Sequence, residues 1–235
     1  MTRPILVIEH TAVDPPGRVG TWLRDEGLEL EVIRPYAGEA QPNDLSRYAG
    51  LLVLGGDVGV YDDEVAPWLP ATRALLAHAV DEQLPTLAIC LGHQLLAVAA
   101  GGRVSRSPGG QQGGTPAVGL QAAAASDPLF REIAEDAVAA HWNNDIVVDL
   151  PPGAVELART PSGVQAMRLG DQVWGVQFHP EVDADTVRLW AVADVDNGTL
   201  TAERAAEWLA ELEENDAVLQ STWRPVIRRF AALLS

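Results

Sequence analysis

The chain has 235 residues, which suits one large α/β domain or two small ones, and 47% of the residues are hydrophobic. Its formal net charge is −17, and all 16 basic residues are arginines. Such an acidic surface repels phosphate backbones and anionic lipid, which argues against nucleic-acid binding and against docking on a membrane. The single cysteine, Cys90, excludes a disulfide framework within the chain and a zinc site built from several cysteines.

The first half of the chain alternates apolar strands with helices. We predict strands at residues 5–9, 28–33, 50–54 and 86–89, and helices at residues 15–26, 67–83 and 92–100. Apolar strands that alternate with helices indicate an α/β fold with a doubly wound, mostly parallel central sheet and helices on both faces. Residues 84–102 carry no formal charge, but their proline, histidine and glycines favour a buried strand and helix over a membrane span. No secretory segment is recognised, so we expect a cytoplasmic protein.

The second half has a different texture, with a glycine-rich loop predicted at residues 108–114. Short strands are predicted after it, at residues 117–120, 138–141, 146–148, 155–158, 164–168 and 173–178. They indicate an antiparallel or mixed half of the same domain. Helices then follow at residues 185–193, 201–213 and 217–234. We therefore expect one domain over residues 1–184 and a helical extension over residues 185–235 packed on it. The tryptophans of the extension either pack it there or form a docking face.

The one cysteine lies between a predicted strand and a predicted helix, in the sequence LAICLGHQ at residues 87–94. A strand, a cysteine, a glycine and a helix follow the order of a nucleophile elbow, in which the reactive atom sits on a tight turn. Ala88 and Gly92 are small enough to let neighbouring backbone come close. The positive end of the helix favours a thiolate, and the N–H of Leu91 can bind an oxyanion. The alternative for Cys90 alone is a buried packing residue.

A histidine and a glutamate follow a late apolar strand, in the sequence WGVQFHPE at residues 174–181. Pro180 ends the strand pairing, and Glu181 can point to the same side as His179. A histidine beside a thiol accepts its proton, and a carboxylate behind the histidine fixes its tautomer. The alternatives are a hydrogen-bonded core histidine or half of a metal site. No spacing among the other histidines suggests further metal ligands, so we predict no metal.

A glycine pair, Gly55-Gly56, follows the third strand. In a doubly wound sheet ligands bind at the carboxyl ends of strands, so this loop should lie beside Cys90. The N–H of Gly56 could then be a second oxyanion donor, although a plain turn is the alternative. The segment has neither the pattern nor the lysine of a phosphate-binding loop.

Three motifs thus stand in chain order: Gly-Gly after a third strand, Cys-Leu-Gly-His-Gln after a fourth, and Phe-His-Pro-Glu at a late strand end. Together they resemble the class I glutamine amidotransferases, especially stand-alone members similar to the amidotransferase domain of GMP synthase. The resemblance runs from about residue 5 to residue 182 and implies a flavodoxin-like architecture. In that family a cysteine attacks the side-chain amide of L-glutamine, ammonia leaves, and a γ-glutamyl thioester is hydrolysed to glutamate.

The resemblance also implies roles for individual residues. Cys90 would be the nucleophile, His179 the base and acid, and Glu181 the carboxylate that orients the histidine. Gly56 and Leu91 would donate to the oxyanion. Gln94 would contact the bound glutamine, and no cofactor is implied.

The destination of the ammonia is left open, because no synthetase domain or nucleotide-binding motif is found in the chain. We expect an acceptor or a synthetase partner protein. One alternative is a γ-glutamyl hydrolase that acts on a γ-glutamyl conjugate. Another is a catalytically silent subunit that binds glutamine or bridges partners, suggested by the unusual Trp-Asn-Asn sequence at residues 142–144.

Overall fold

The computed structural model describes residues 3–234, which form a central sheet flanked by helices. The strands are β1 (Ile5–Ile8), β2 (Leu30–Ile33), β3 (Gly50–Val53), β4 (Thr86–Ile89), β5 (Arg103–Arg106), β6 (Gln112–Gly114), β7 (His141–Asn143), β8 (Asp145–Asp149), β9 (Val155–Thr160), β10 (Gly163–Leu169) and β11 (Val173–Val176). The helices are α1 (Gly17–Asp25), α2 (Leu69–Glu82), α3 (Leu91–Ala99), α4 (Ala184–Asp196) and α5 (Ala202–Ala231). Short 3-10 helices lie at Pro35–Ala37 and Ala122–Ser126.

The main sheet has the strand order β2-β1-β3-β4-β11-β10-β8-β5, with β9 paired to β10. Its first five strands run parallel to one another, and the remaining pairs are antiparallel. The parallel half follows the flavodoxin-like order, in which the chain reverses direction across the sheet between the first and third strands. The predicted α/β fold with a doubly wound, mostly parallel sheet is confirmed. Strands β6 and β7 form a separate two-stranded sheet.

The register of the parallel strands brings four loops to one edge of the sheet. Ile89 at the end of β4 pairs with Val176 at the end of β11, and Ala88 pairs with Val53 at the end of β3. Ile8 at the end of β1 lies opposite Val53 on its other side. Since these strands are parallel, the segments that follow them leave the sheet together. This edge is where ligands bind in open α/β sheets.

Helices cover both faces of the sheet, and alternate strand residues supply the two halves of the core. Ile5 and Val7 of β1 belong to a buried apolar cluster that also includes residues of α1 and α5. Leu6 and Ile8 belong to a second cluster, on the face that α2 and α3 cover. This alternation is the period of two that strands impose. Within residues 3–234, none of the helices has both the length and the apolar character needed to cross a bilayer.

The structure departs from the predicted elements in the second half of the chain. Strand β6 (Gln112–Gly114) lies inside the segment predicted as a loop, and it pairs with β7 (His141–Asn143). Glycine and glutamine carry no strand pattern of their own, so this pairing depends on a partner distant in sequence. The strand predicted at residues 117–120 is reduced to isolated bridges at Ala117 and Leu120.

The last two predicted helices are one continuous helix, α5 (Ala202–Ala231). Residues 214–216 lie between the two predicted helices. Here the side chain of Asn215 donates to Thr115 Oγ1 at 2.9 Å, and Asp216 accepts from Arg18 at 2.5 Å. These polar residues therefore hold the middle of the helix against the rest of the fold, which the local sequence does not reveal.

Aromatic side chains fix α5 to the sheet. Trp223 and Phe230 are 2% and 0% exposed, and the ring of Trp223 lies 4.4 Å from that of Phe178. The indole N–H of Trp223 donates to the carbonyl of Val138 at 3.1 Å.

The predicted division into a domain over residues 1–184 and a helical extension over residues 185–235 stays a prediction. Residues 1, 2 and 235, which those bounds include, lie outside the described range.

Truncating the buried indole of α5 should destabilise the whole fold. Trp223→Ala should lower the free energy of unfolding by about 3 to 5 kcal/mol, the usual cost of removing a large buried aromatic side chain. Thermal denaturation measures this loss. The matched control is Leu189→Ala on α4, which removes a side chain that is 59% exposed and should change stability by no more than about 0.5 kcal/mol. A fold as stable without the indole as with it would contradict the packing role of α5.

Candidate active site

Cys90 sits on a strained turn between β4 and α3. Its backbone has φ of 50° and ψ of −106°, a conformation that residues with a side chain rarely adopt. A Cβ at Gly92 would collide with the Val53 carbonyl oxygen, so only glycine lets the turn lie this close to β3. The Cys90 N–H donates to Val176 and the Gly92 N–H to Leu54, at 2.8 and 3.2 Å. The turn therefore holds the thiol at the N-terminal end of α3, as a nucleophile elbow does.

His179 and Glu181 form a buried pair just beyond β11. Nδ1 of His179 lies 2.6 Å from Oε1 of Glu181, and the two side chains are 3% and 1% exposed. The backbone N–H of His179 donates to the backbone carbonyl of Ala140 at 2.8 Å, which fixes the main chain beside the ring. Burial alone would lower the pKa of His179, but Glu181 and Cys90 raise it well above its ordinary value. The histidine is thus set up to carry a proton beside the thiol.

A chain of side-chain amides connects the cysteine to the wall of the site. Gln177 Nε2 donates to Cys90 Sγ at 3.5 Å, and Gln177 Oε1 accepts from Gln94 Nε2 at 3.1 Å. Gln94 also donates to the carbonyl of Asp145 at 2.9 Å. Gln94, predicted to contact substrate, lies at the cavity wall with its side-chain N–H groups directed at these protein oxygens.

The two predicted oxyanion donors lie on the same cavity. Gly56 and Leu91 both line it, one after β3 and the other at the first position of α3. Neither N–H donates to another residue in the described part of the chain. The first N–H groups of a helix have no partner within the helix, which explains the free donor at Leu91. A Cβ at Gly56 would press on the side chains of Leu91 and His10.

The cavity that contains Cys90 and His179 has a volume of about 690 Å³. Its walls come from the loops after β1 and β3, from residues 142–145, and from the end of α4. The side chains that face it include Tyr61, Arg106, Trp142, Trp190 and Asp194. This volume lies within the range of about 300 to 1,000 Å³ that small-molecule sites occupy.

Helix α4 closes the cavity over the histidine. The ring of Trp190 packs against that of His179 with 4.9 Å between centroids, and its indole N–H donates to the Val13 carbonyl at 2.8 Å. Asp194, one turn on, accepts from the indole N–H of Trp142 at 2.9 Å. The helical extension thus contributes directly to the site, which the sequence patterns did not indicate.

The sequence predicted Cys90, His179 and Glu181 as site residues. The fold brings Cys90 and His179 to one cavity, and Glu181 is buried against the histidine. Sequence reasoning missed Gln177, which contacts the thiol, and Asp14, which is buried beside His179 and Glu181. A signal for Gln177 was present, because residues two apart on a strand face the same side. A signal for Asp14 was weaker, since it lies in the loop after β1 at the ligand-binding edge of the sheet.

A metal could in principle be held by Asp14, His179 and Glu181, whose ligand atoms lie within 4.8 Å of one another. However, the Nδ1 of His179 already contacts Glu181 at 2.6 Å. The cluster is therefore better suited to proton transfer than to a cation. The expectation of no metal and no cofactor stays a prediction.

Two known proteins are similar to this chain over most of its length. A crystal structure of a glutamine amidotransferase from Methylobacillus flagellatus is 30% identical, covers 100% of this chain and 96% of its own, and superposes with a TM-score of 0.88. The γ-glutamyl peptidase 4 of Arabidopsis thaliana is 26% identical over 214 residues, which are 88% of this chain and 83% of the peptidase.

A third relative is a much longer protein. The glutamine-hydrolysing GMP synthase of Aeropyrum pernix is 36% identical over 163 residues, and these are 68% of this chain but only 29% of the synthase. Residues 21–188 match the family model described as glutamine amidotransferase class-I. With the predicted architecture and motifs in place, this match shows that the chain belongs to the class I glutamine amidotransferase family.

Proposed function

We propose that the protein hydrolyses the side-chain amide of L-glutamine through Cys90, His179 and Glu181 and releases ammonia. The observation that supports this most is the buried His179–Glu181 pair, joined at 2.6 Å, whose histidine lines the same cavity as the chain's single cysteine. A pair of this kind activates a nucleophile and then returns its proton to the leaving group. Membership of the class I family supports the same reaction.

In the first half of the proposed reaction, the thiolate of Cys90 attacks the carboxamide carbon of glutamine. The oxygen that becomes negative accepts hydrogen bonds from the N–H groups of Gly56 and Leu91, which lack other partners among residues 3–234. The imidazolium of His179 donates its proton to the leaving nitrogen. The C–N bond breaks, ammonia leaves, and a γ-glutamyl thioester to Cys90 remains.

In the second half, water attacks the thioester carbon while neutral His179 accepts one of its protons. The C–S bond then breaks, glutamate leaves, and the proton on His179 again balances the thiolate. Glu181 supports the histidine in both halves, because its negative charge stabilises the imidazolium and its hydrogen bond fixes the ring. Gln94 would help to shape the pocket for the glutamyl part of the substrate. The reaction needs no cofactor.

We further propose that the ammonia is passed to an acceptor or to a synthetase partner protein. The similarity to GMP synthase supports this proposal, since the matching segment is only 29% of that synthase. A cytoplasmic location remains a prediction of the sequence.

A second candidate function is hydrolysis of a γ-glutamyl conjugate. The size of the cavity, about 690 Å³, favours it, because a free amino acid is smaller than the ligands that fill such sites. Similarity to a γ-glutamyl peptidase along 88% of the chain points the same way. The chemistry would be unchanged except that an amine larger than ammonia leaves. A catalytically silent subunit that binds glutamine or bridges partners is the third alternative.

Kinetics with two substrates separate these functions. Purified protein should release glutamate from L-glutamine with a higher kcat/KM than it releases the amine from a γ-glutamyl dipeptide. The reverse order would favour the γ-glutamyl hydrolase. If neither substrate turned over and an electrophilic glutamine analogue failed to label Cys90, the silent subunit would be supported instead. Rapid stoichiometric labelling would exclude it.

A further inference from the structure

A second buried carboxyl group, at the wall of the cavity, lies beside the His179–Glu181 pair, and the proposed reaction does not use it. Asp14, in the loop between β1 and α1, is 3% exposed. One of its carboxyl oxygens, a ring nitrogen of His179 and a carboxyl oxygen of Glu181 lie within 4.8 Å of one another. Asp14 therefore sits next to the carboxylate on which the catalytic histidine depends.

Hydrogen bonding between the two carboxyl groups is incomplete unless one of them carries a proton. Oδ1 of Asp14 and Oε2 of Glu181 are both buried, and neither has a partner among residues 3–234. Two ionised carboxylates could not hydrogen-bond to each other, and they would repel at this depth. One shared proton satisfies both groups, because the protonated acid donates to the ionised one.

The surroundings favour a proton on Asp14. Burial, then the charge of Glu181, and to a smaller extent the charge of Glu9 raise the pKa of Asp14, which stands at about 8 although the charge of His179 lowers it. Glu9 itself accepts from Arg34 and Tyr36, at 2.8 and 2.9 Å. At neutral pH Asp14 therefore keeps its proton, which it can donate to Glu181.

The loop that carries Asp14 is fixed to the site from both sides. Trp190 donates to the Val13 carbonyl at 2.8 Å, and the Arg18 N–H donates to the Glu181 carbonyl at 2.8 Å. A Cβ at Gly55 would collide with Oδ2 of Asp14 and lie close to the ring of His179. Glycine at position 55 thus leaves room for the carboxyl group against the histidine. Asp14 is held in place and is not a loop residue that happens to lie nearby.

We propose that Asp14 is a positioning residue, whose protonated carboxyl donates a hydrogen bond to Glu181 and holds that carboxylate against His179. This inference rests on the proposed function of the triad and adds a fourth member to it. It has a direct consequence for pH dependence. The donor is present below the pKa of Asp14 and lost as the pH rises through it, when a second negative charge also repels Glu181. Activity that depends on this contact should fall on the alkaline side.

The test compares Asp14→Asn, which always donates, with Asp14→Ala, which never does. Alkylation of Cys90 by iodoacetamide at about pH 6.5, where a free thiol is protonated, reports the thiolate that His179 maintains. Asp14→Asn should alkylate at nearly the wild-type rate. Asp14→Ala should alkylate about tenfold more slowly, the effect of one hydrogen bond to a charged group. Asp81→Asn, an exposed change on α2, is the matched control and should have no effect.

Two further measurements distinguish this role from a purely structural one. In a Glu181→Gln background, Asp14→Ala should cause little additional loss, because its effect passes through Glu181. In glutamine hydrolysis, the wild type should show an alkaline loss near the pKa of Asp14, and Asp14→Asn should lack it. Two results would overturn the proposal. One is that the rate losses caused by Asp14→Ala and Glu181→Gln multiply in the double variant. The other is that wild type and Asp14→Asn have identical pH profiles.

Alkylation does not require glutamine, so the two proposals fail in different ways. A protein that shows the expected alkylation pattern but hydrolyses no glutamine would contradict the proposed function and still support the role of Asp14. Thermal denaturation of each variant checks the fold. If Asp14→Ala does not fold, the pH profile of Asp14→Asn decides the question alone.

Discussion

Cys90→Ala should abolish glutamate release from glutamine, with a decrease in kcat of at least about 10⁴-fold. Removing the nucleophile of a comparable serine triad costs about 2 × 10⁶-fold in kcat, because histidine and carboxylate cannot act without it. The substitution removes one sulfur atom from a side chain that is 7% exposed, so the fold should survive. A coupled glutamate assay on both proteins measures the change.

Two controls accompany that measurement. Ser107→Ala removes one heteroatom from another buried small side chain, 5% exposed and not part of the cavity wall, and should keep wild-type activity. Since Cys90 is the only cysteine, mass spectrometry of the alkylated wild type should show a single adduct and a matching loss of activity. The expected residual activity of Cys90→Ala is at most about 10⁻⁴ of the wild type. If the variant kept a tenth or more of the wild-type activity, roughly 10³-fold above that level, Cys90 would not be the nucleophile.

Glu181→Gln should lower kcat by about 10³ to 10⁴-fold while leaving the fold intact. The equivalent acid-to-amide change in a serine triad costs about 10⁴-fold, because the neutral amide stabilises the wrong tautomer of the histidine. In this protein the substitution would replace the carboxylate that lies 2.6 Å from His179 Nδ1. The loss should appear mainly in kcat, since Glu181 is buried behind the histidine and does not line the cavity.

The pH dependence gives this second prediction a sign. Glu181 raises the pKa of His179, so its replacement by an amide should lower that pKa. The imidazolium would then be lost at lower pH, and alkylation of Cys90 at neutral pH should slow as its counter-ion disappears. Asp185→Asn, in the first turn of α4 with a side chain 91% exposed, is the control for an acid-to-amide change nearby. Equal activity of Glu181→Gln and its control would contradict the triad.

Much of the site could be predicted because its chemistry lies in short segments of the chain. Cys90 and Gly92 flank one residue at a strand-to-helix turn, and His179 and Glu181 are two residues apart at a strand end. Such local arrangements leave a pattern that a single sequence carries. The parallel half of the sheet was predictable for a related reason, since its strands are apolar throughout and alternate with helices.

The parts that escaped prediction depend on contacts between distant segments. Gln177 donates to Cys90 across 87 positions, and Trp190 reaches Val13 across 177. The pairing of the glycine-rich β6 with β7 and the continuity of α5 through Asn215 have the same origin. Glutamine, tryptophan and asparagine occur in many environments, so their types alone assign no role. Only their neighbours in the folded chain do.

The sequence by itself determined the fold class and the three motifs, and with them the family to which the chain belongs. Hydrophobic periodicity and the steric demands of a tight turn act over a few residues, and they are legible in the order of the amino acids. The tertiary structure alone decided that α4 closes the cavity over His179 and that Asp14 lies beside His179 and Glu181. Those arrangements follow from the register of parallel strands and the docking of a distant helix, which set distances that no local pattern encodes.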